Sequence, residues 1–174
     1  MLLVALAPFF VNNDAMPNTV TSMLDQPVPD FELPSTGDKP FRLFSTKGKA
    51  VVLYFYPKDS TPGCTSEAQH FRDLYPEFEA LGCQIYGISR DSLKSHENFK
   101  AKQNLPFELL SDKEEIACNL FGVIKMKQLY GKQVRGIERS TFVIDGGGVL
   151  RREWRGVKVA GHAQEVIDFI ETIK

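Results

Sequence analysis

The run Ala50–Tyr56 (AVVLYFY) constrains the fold more than any other segment. Seven consecutive apolar or aromatic residues without polar alternation suit a strand buried on both faces, as in a parallel sheet covered by helices. The period then changes. Ala68, Phe71, Leu74, Phe78 and Leu81 recur every three or four residues, which predicts one helix over Thr65–Leu81, stopped by Gly82. Gln84–Ser89 (QIYGIS) reads as a second strand, and Asp91 or Ser92 as the cap of a helix running to about Gln103. Phe107–Leu110 is a short strand, and Asp112-Lys113-Glu114-Glu115 has capping-box spacing for a helix through Phe121. Arg139–Asp145 and Val149–Trp154 flank three glycines and predict a hairpin. Ala163–Ile173 is amphipathic, with Val166, Ile167, Ile170 and Ile173 on one side. Asp30–Leu33 and Phe41–Leu43 add an edge hairpin. The order β-α-β-α-β-α-β-β-α predicts an α/β fold with a mixed central sheet flanked by helices.

At 174 residues the chain is long enough to bury a core without disulfide staples. The formal charge of -1, from 21 basic and 22 acidic residues, gives no one-signed field. Nucleic acid and membrane surfaces are therefore not expected as partners. Cys64, Cys83 and Cys118 form no Cys-x-x-Cys pair, which argues against a structural zinc or a thioredoxin-style dithiol. An odd, low count suits free thiols in a reducing cytoplasm. No cofactor and no metal is expected, and no apolar stripe demands a partner copy, so a monomer is expected. Residues 1–22 open with MLLVALAPFFV, too short to span a bilayer and without a basic start. They read as an extension or misplaced start codon, ahead of an atypical signal peptide and a membrane anchor. The domain proper is taken as 23–174.

The chemistry concentrates after the first buried strand. Tyr56-Pro57-Lys58-Asp59-Ser60-Thr61-Pro62-Gly63-Cys64 carries the chain through a loop to the predicted start of a helix. Sites in open α/β sheets gather beyond the carboxyl ends of such strands. Backbone N–H groups at a helix N-terminus lack intrahelical partners, and the macrodipole favours negative charge there. A cysteine at that point is biased toward thiolate, the nucleophilic form.

Pro57-x-x-x-Thr61-x-x-Cys64 resembles the peroxidatic-cysteine signature of the peroxiredoxins. The continuation Thr65-x-Glu67 is similar to the bacterioferritin comigratory protein, or PrxQ, class. Gly87–Ser92, Leu110–Asp112 and Gly136–Phe142 resemble that class in order and spacing, over about Met23 to Lys174. The resemblance implies a thioredoxin-like fold and a thiol-dependent peroxidase that reduces hydrogen peroxide and organic hydroperoxides. It implies that Cys64 is oxidised to a sulfenic acid, that Thr61 hydrogen-bonds thiolate and peroxide, that Arg139 lies across the site, and that Pro57 shields the sulfur. Many members of the class carry a resolving cysteine five residues after the peroxidatic one, where this chain has Gln69. Others carry it on the next helix, which here has none. A 17-residue helix between Cys64 and Cys83 would hold them roughly 25 Å apart, beyond the ~7 Å that a disulfide allows. A one-cysteine mechanism is therefore expected, with thioredoxin, glutaredoxin or a small thiol as reductant. Cys118 is the alternative resolving residue.

Other readings compete. Cys83 and Cys118 read as small buried hydrophobes. His70, His96 and His162 read as surface or capping residues, and Arg139 could simply pair with Glu138 or Asp145. Phe71, Phe78 and Phe121 read as core. A cysteine hydrolase would need His162 as a base at hydrogen-bond range of Cys64. A non-enzymatic thioredoxin-fold binding or holdase protein would not need the Pro57, Thr61, Cys64 and Arg139 set.

Overall fold

The computed structural model describes residues 22–174, so the expectation for the N-terminal extension lies outside the described residues but for Ser22. Strand β3 (Ala50–Phe55) occupies the middle of a five-stranded mixed sheet. Strands β4 (Cys83–Ser89) and β5 (Glu108–Ser111) continue it in parallel on one side. On the other side β8 (Ser140–Ile144) runs antiparallel to β3, and β9 (Leu150–Arg155) antiparallel to β8. The predicted mixed central sheet and the glycine-turn hairpin are both present.

Successive side chains of a strand point to opposite faces, so β3 feeds two cores. Val51, Leu53 and Phe55 pack with Phe142, Phe121 and Cys118 on one side. Val52, Tyr54 and Tyr56 pack with Cys64, Phe71, Phe78, Phe99 and Ile170 on the other. Helices α1 (Pro62–Asp73), α2 (Tyr75–Ala80), α3 (Leu93–Gln103) and α5 (His162–Thr172) line the second face. Helix α4 (Ile116–Leu120) and the hairpin of β1 (Glu32–Leu33) with β2 (Phe41–Arg42) cover the first. Among the described residues no helix is long and apolar enough to cross a membrane.

Three expectations change. The single helix over Thr65–Leu81 is two, broken at Leu74. Pro76 is the cause: it has no N–H to donate, and its ring would clash with the carbonyl four residues back. The helix expected to start at Asp112 begins only at Ile116. Asp112 still caps it from outside, accepting from the backbone N–H of Ile116 and of Cys118 at 2.7 Å each. An unexpected hairpin, β6 (Ile124–Leu129) with β7 (Lys132–Ile137), stands between α4 and β8. Tyr130 and Gly131 turn it with positive φ at both positions, as a type I′ turn requires. Its strands are mostly exposed, so no apolar alternation announced them.

Candidate active site

Parallel β3 and β4 end together, with Phe55 beside Ile88, and the chain leaves β3 into the loop 57–61. Thr61 is the N-cap of α1, Pro62 occupies its first turn, and Cys64 follows as the third helical residue. Pro suits this position because its missing N–H would be unpaired anyway. The first intrahelical bond is Thr65 N–H to the Thr61 carbonyl, at 2.9 Å. The N–H of Cys64 thus belongs to the free set at the positive end of the helix.

Arg139 arrives from the opposite direction. It immediately precedes β8, whose first residue, Ser140, pairs with Phe55, so the sheet register sets Arg139 beyond the carboxyl end of β3. Its guanidinium donates to Cys64 Sγ at 3.5 Å and to Glu67 Oε1 at 2.9 Å. Glu67 lies three residues after Cys64, which places both on one face of α1. A Cβ at position 63 would lie 3.2 Å from the guanidinium, so Gly63 leaves room for its close approach. Arg139 therefore pairs with neither Glu138 nor Asp145, but clamps the cysteine to a buried carboxylate.

Both Cys64 and Glu67 are only 2% exposed. Burial pushes the Glu67 carboxyl up to about 7, although the charge and hydrogen bond of Arg139 oppose it. Glu67 Oε2 and the Tyr54 hydroxyl are buried without hydrogen-bond partners. Burial works against the charge on Arg139, but Glu67 and Cys64 outweigh it and hold the guanidinium above its ordinary value.

The folded carboxyl of Glu67 titrates near 7, whereas an unperturbed one titrates near 4.5. Between those values the folded chain holds a proton that the unfolded chain has released, so stability falls as pH rises through that window. The expected loss is on the order of 3 kcal/mol. Glu67→Gln should flatten that part of the curve, as read by urea unfolding at pH 4.5 to 8. Equal slopes for both chains would refute it.

Pro57 opens the loop, half-buried. The Thr61 hydroxyl donates to the Lys58 carbonyl at 2.8 Å rather than to the sulfur, which leaves its lone pairs to accept a hydrogen bond. Cys83 starts β4 beside Ala50, at the far end of the sheet from Cys64. Five residues of strand separate those ends by roughly 17 Å, so the pair stays apart even though the intervening helix is broken. Cys118 is fully buried in α4, across the sheet from Cys64. Burial pushes the Cys83 thiol up to about 12, and burial with the nearby Asp112 pushes Cys118 up as well.

The histidines correct the sequence reading, since His96 and His162 are buried. His162 Nε2 lies 2.7 Å from Thr141 Oγ1, so its hydrogen bond goes there and not to Cys64. The base that a cysteine hydrolase needs is absent from the sulfur's partners. His96 bonds to Asp59 in the loop before Cys64, a contact the sequence reading missed. The available signal was its spacing of three from Phe99 on the buried face of α3. Asp59, Asp91 and His96 approach one another closely enough for a metal ion. Both ring nitrogens of His96 already face protein oxygens, and Asp59 accepts from three donors, so the donor set fits a hydrogen-bond network and not a cation.

The AhpC/TSA family matches residues 24–153. The chain is 51% identical over 148 residues to the peroxiredoxin Bcp of Xanthomonas campestris, covering 84% of this chain and 92% of that one. It is 47% identical over 152 residues to the peroxiredoxin Bcp of Bacillus subtilis, covering 87% and 97%. A solved structure of the Xanthomonas campestris bacterioferritin comigratory protein, described for its alkyl peroxide reduction activity, superposes with a TM-score of 0.79 at 50% identity, covering 82% and 91%. Two further solved forms of the Xanthomonas peroxiredoxin Q carry cysteine-to-serine substitutions at positions 36 residues apart. Peroxidoxin BcpB of Mycobacterium tuberculosis superposes with a TM-score of 0.77 at 35% identity, covering 87% and 97%. The mixed sheet with its helices is thus the thioredoxin-like fold of these proteins.

Proposed function

We propose, because this chain belongs to the AhpC/TSA family and is a thiol-dependent peroxidase, that Cys64 is the sulfur that peroxide attacks. The observation that carries this reading is the Arg139 guanidinium, which bridges Cys64 Sγ and Glu67 at the N-terminus of α1. The Cys64 thiolate attacks the terminal peroxide oxygen, a new S–O bond forms, and the O–O bond breaks. Sulfur gives up two electrons and becomes a sulfenic acid. The peroxide leaves as alkoxide or hydroxide and takes a proton to become alcohol or water. Negative charge moves from sulfur to the departing oxygen, so fixed donors beside that path lower the barrier. Arg139 and the free N–H groups of α1 are such donors. The Thr61 hydroxyl, already donating to Lys58, is placed to accept from the terminal O–H of the peroxide. Pro57 closes the loop over the site. Residues 23–174 are taken as the peroxidase domain.

Regeneration is assigned to an external thiol. Cys118 lies across the sheet and Cys83 at its far end, both with thiols pushed up by burial. No two cysteines of this chain stand 36 residues apart, and the residue that far beyond Cys64 is Lys100 on α3. Lys100 pairs with Glu108 at 2.7 Å. A thiol from thioredoxin, glutaredoxin or a small molecule would attack the sulfenic sulfur and release water. A second thiol would then reduce the mixed disulfide and return Cys64 to the thiolate. We take the protein to act as a monomer, and three unpaired thiols suit a reducing cytoplasm.

The test is intact mass and non-reducing peptide mapping after one equivalent of hydrogen peroxide, with and without a sulfenic-acid trap. The trap adduct should map to Cys64, with no internal disulfide. A major Cys64–Cys118 disulfide, with thioredoxin-driven turnover lost in Cys118→Ser, would overturn the one-cysteine assignment.

A further inference from the structure

The loop that presents Cys64 has little regular backbone bonding of its own, and Ser60 sits at φ +62°, a left-handed conformation uncommon for a residue with a side chain. Something outside the loop must hold it. Asp59, buried within it, is that point of attachment. One carboxylate oxygen accepts from the Tyr56 hydroxyl at 2.6 Å. The other accepts from the Ser95 hydroxyl at 2.8 Å and faces His96 Nδ1 at 2.7 Å. The backbone N–H of Asp59 donates to Asp91 Oδ2 at 3.0 Å.

His96 is 0% exposed, and its other ring nitrogen lies 2.9 Å from the Leu110 carbonyl. A carbonyl only accepts, so Nε2 carries a proton. Were the ring neutral, its Nδ1 lone pair would point at a carboxylate oxygen 2.7 Å away. Asp59, which already receives two hydroxyl protons, is held below the usual carboxylate range, chiefly by His96 acting against burial. Two lone pairs cannot face each other at 2.7 Å, so a proton lies between Nδ1 and the Asp59 carboxylate. Tyr56, Ser95 and Asp91 complete the surroundings, and the Asp91 carboxylate is itself occupied by the Ser89 hydroxyl at 2.5 Å and the Asp59 N–H.

We propose that His96 is a positioning residue for the peroxidatic cysteine: as a buried imidazolium paired with Asp59, it ties the loop before Cys64 to α3 and β5 and so sets the sulfur against Arg139. The pair joins residues 37 apart in sequence, and through Leu110 it reaches the strand at the sheet's edge. Breaking it by removing one partner leaves an uncompensated buried charge, the costly way to break such a pair. The inference rests on Cys64 as the reacting sulfur, but its first readout does not depend on that.

Nitrogen-15 NMR of the full-length chain at pH 7.5 should show His96 with both ring nitrogens protonated. Stopped-flow oxidation by hydrogen peroxide and alkylation by iodoacetamide should then be compared at Cys64. His96→Asn and Asp59→Asn should each slow oxidation at least about 10-fold more than alkylation, because only the peroxide step needs the sulfur set against Arg139. The double variant should lose little more than either single one, since the two act through one contact. Ser95→Ala, which removes one donor to Asp59, should give a smaller loss in the same ratio and decides the matter should the charge variants fail to fold. A neutral His96 ring overturns the proposal. So does an oxidation-to-alkylation ratio unchanged in His96→Asn, or in Ser95→Ala where only that variant folds. Cys64→Ser tests the underlying assignment separately.

Discussion

Cys64→Ser should abolish peroxide consumption, with a residual rate no higher than that of the reductant alone. The loss is total because the replacement changes the element that is oxidised. A serine hydroxyl is not ionised at neutral pH, and its oxygen does not form a stable counterpart of the sulfenic acid, so no two-electron donor to the peroxide remains. Stability should change little, since Ser nearly matches Cys in volume, although a hydroxyl in a site 2% exposed needs a hydrogen-bond partner. Cys83→Ser should keep near-normal turnover. Its sulfur sits at the opposite end of the sheet, and burial keeps it a thiol. Steady-state peroxide consumption with dithiothreitol compares both variants with the parent chain. Substantial turnover by Cys64→Ser would remove the basis of the assigned mechanism.

The features that were legible in the sequence share one property: their signal is local. Ala50–Phe55 is a strand because an apolar run that continues to Tyr56 leaves no alternative face for water. Ser92 caps α3, accepting from the Ser95 N–H, as its position before the periodic run implied. The glycine run between β8 and β9 marks its own hairpin. The features that were missed depend on partners distant in the chain. Ser140 pairing with Phe55 is what carries Arg139 to Cys64, and no property of residues 139 to 145 specifies that register. His96 looked like a surface residue because its counterion stands 37 residues earlier. The β6–β7 hairpin was invisible for a different reason: with both faces largely in water, nothing selects an apolar period. The helix breaks at Leu74 because the missing N–H and the ring of Pro76 outweigh the apolar stripe through Leu74 and Phe78.

Arg139→Ala should slow the oxidation of Cys64 by roughly 100- to 1,000-fold, the usual effect of deleting one preorganised donor at a centre of developing charge. The guanidinium lies against Sγ, beside the path on which negative charge passes from the sulfur to the departing oxygen, and its loss removes that fixed donor. Arg139→Lys should recover only part of the rate, because an ammonium lacks the planar fork that reaches Glu67 and Cys64 at once. Removing Arg139 also strands the Glu67 carboxyl in a buried site, a stability effect that could pass for a catalytic one. Arg139→Ala combined with Glu67→Gln separates the two. The amide cannot ionise in the buried site, so urea unfolding at a pH high enough to deprotonate Glu67 should recover toward the parent value, while the oxidation rate should remain as low as in Arg139→Ala. Recovery of rate together with stability would mean that Arg139 acts through the fold alone. An unchanged peroxide rate in the single variant would leave it no part in the chemistry.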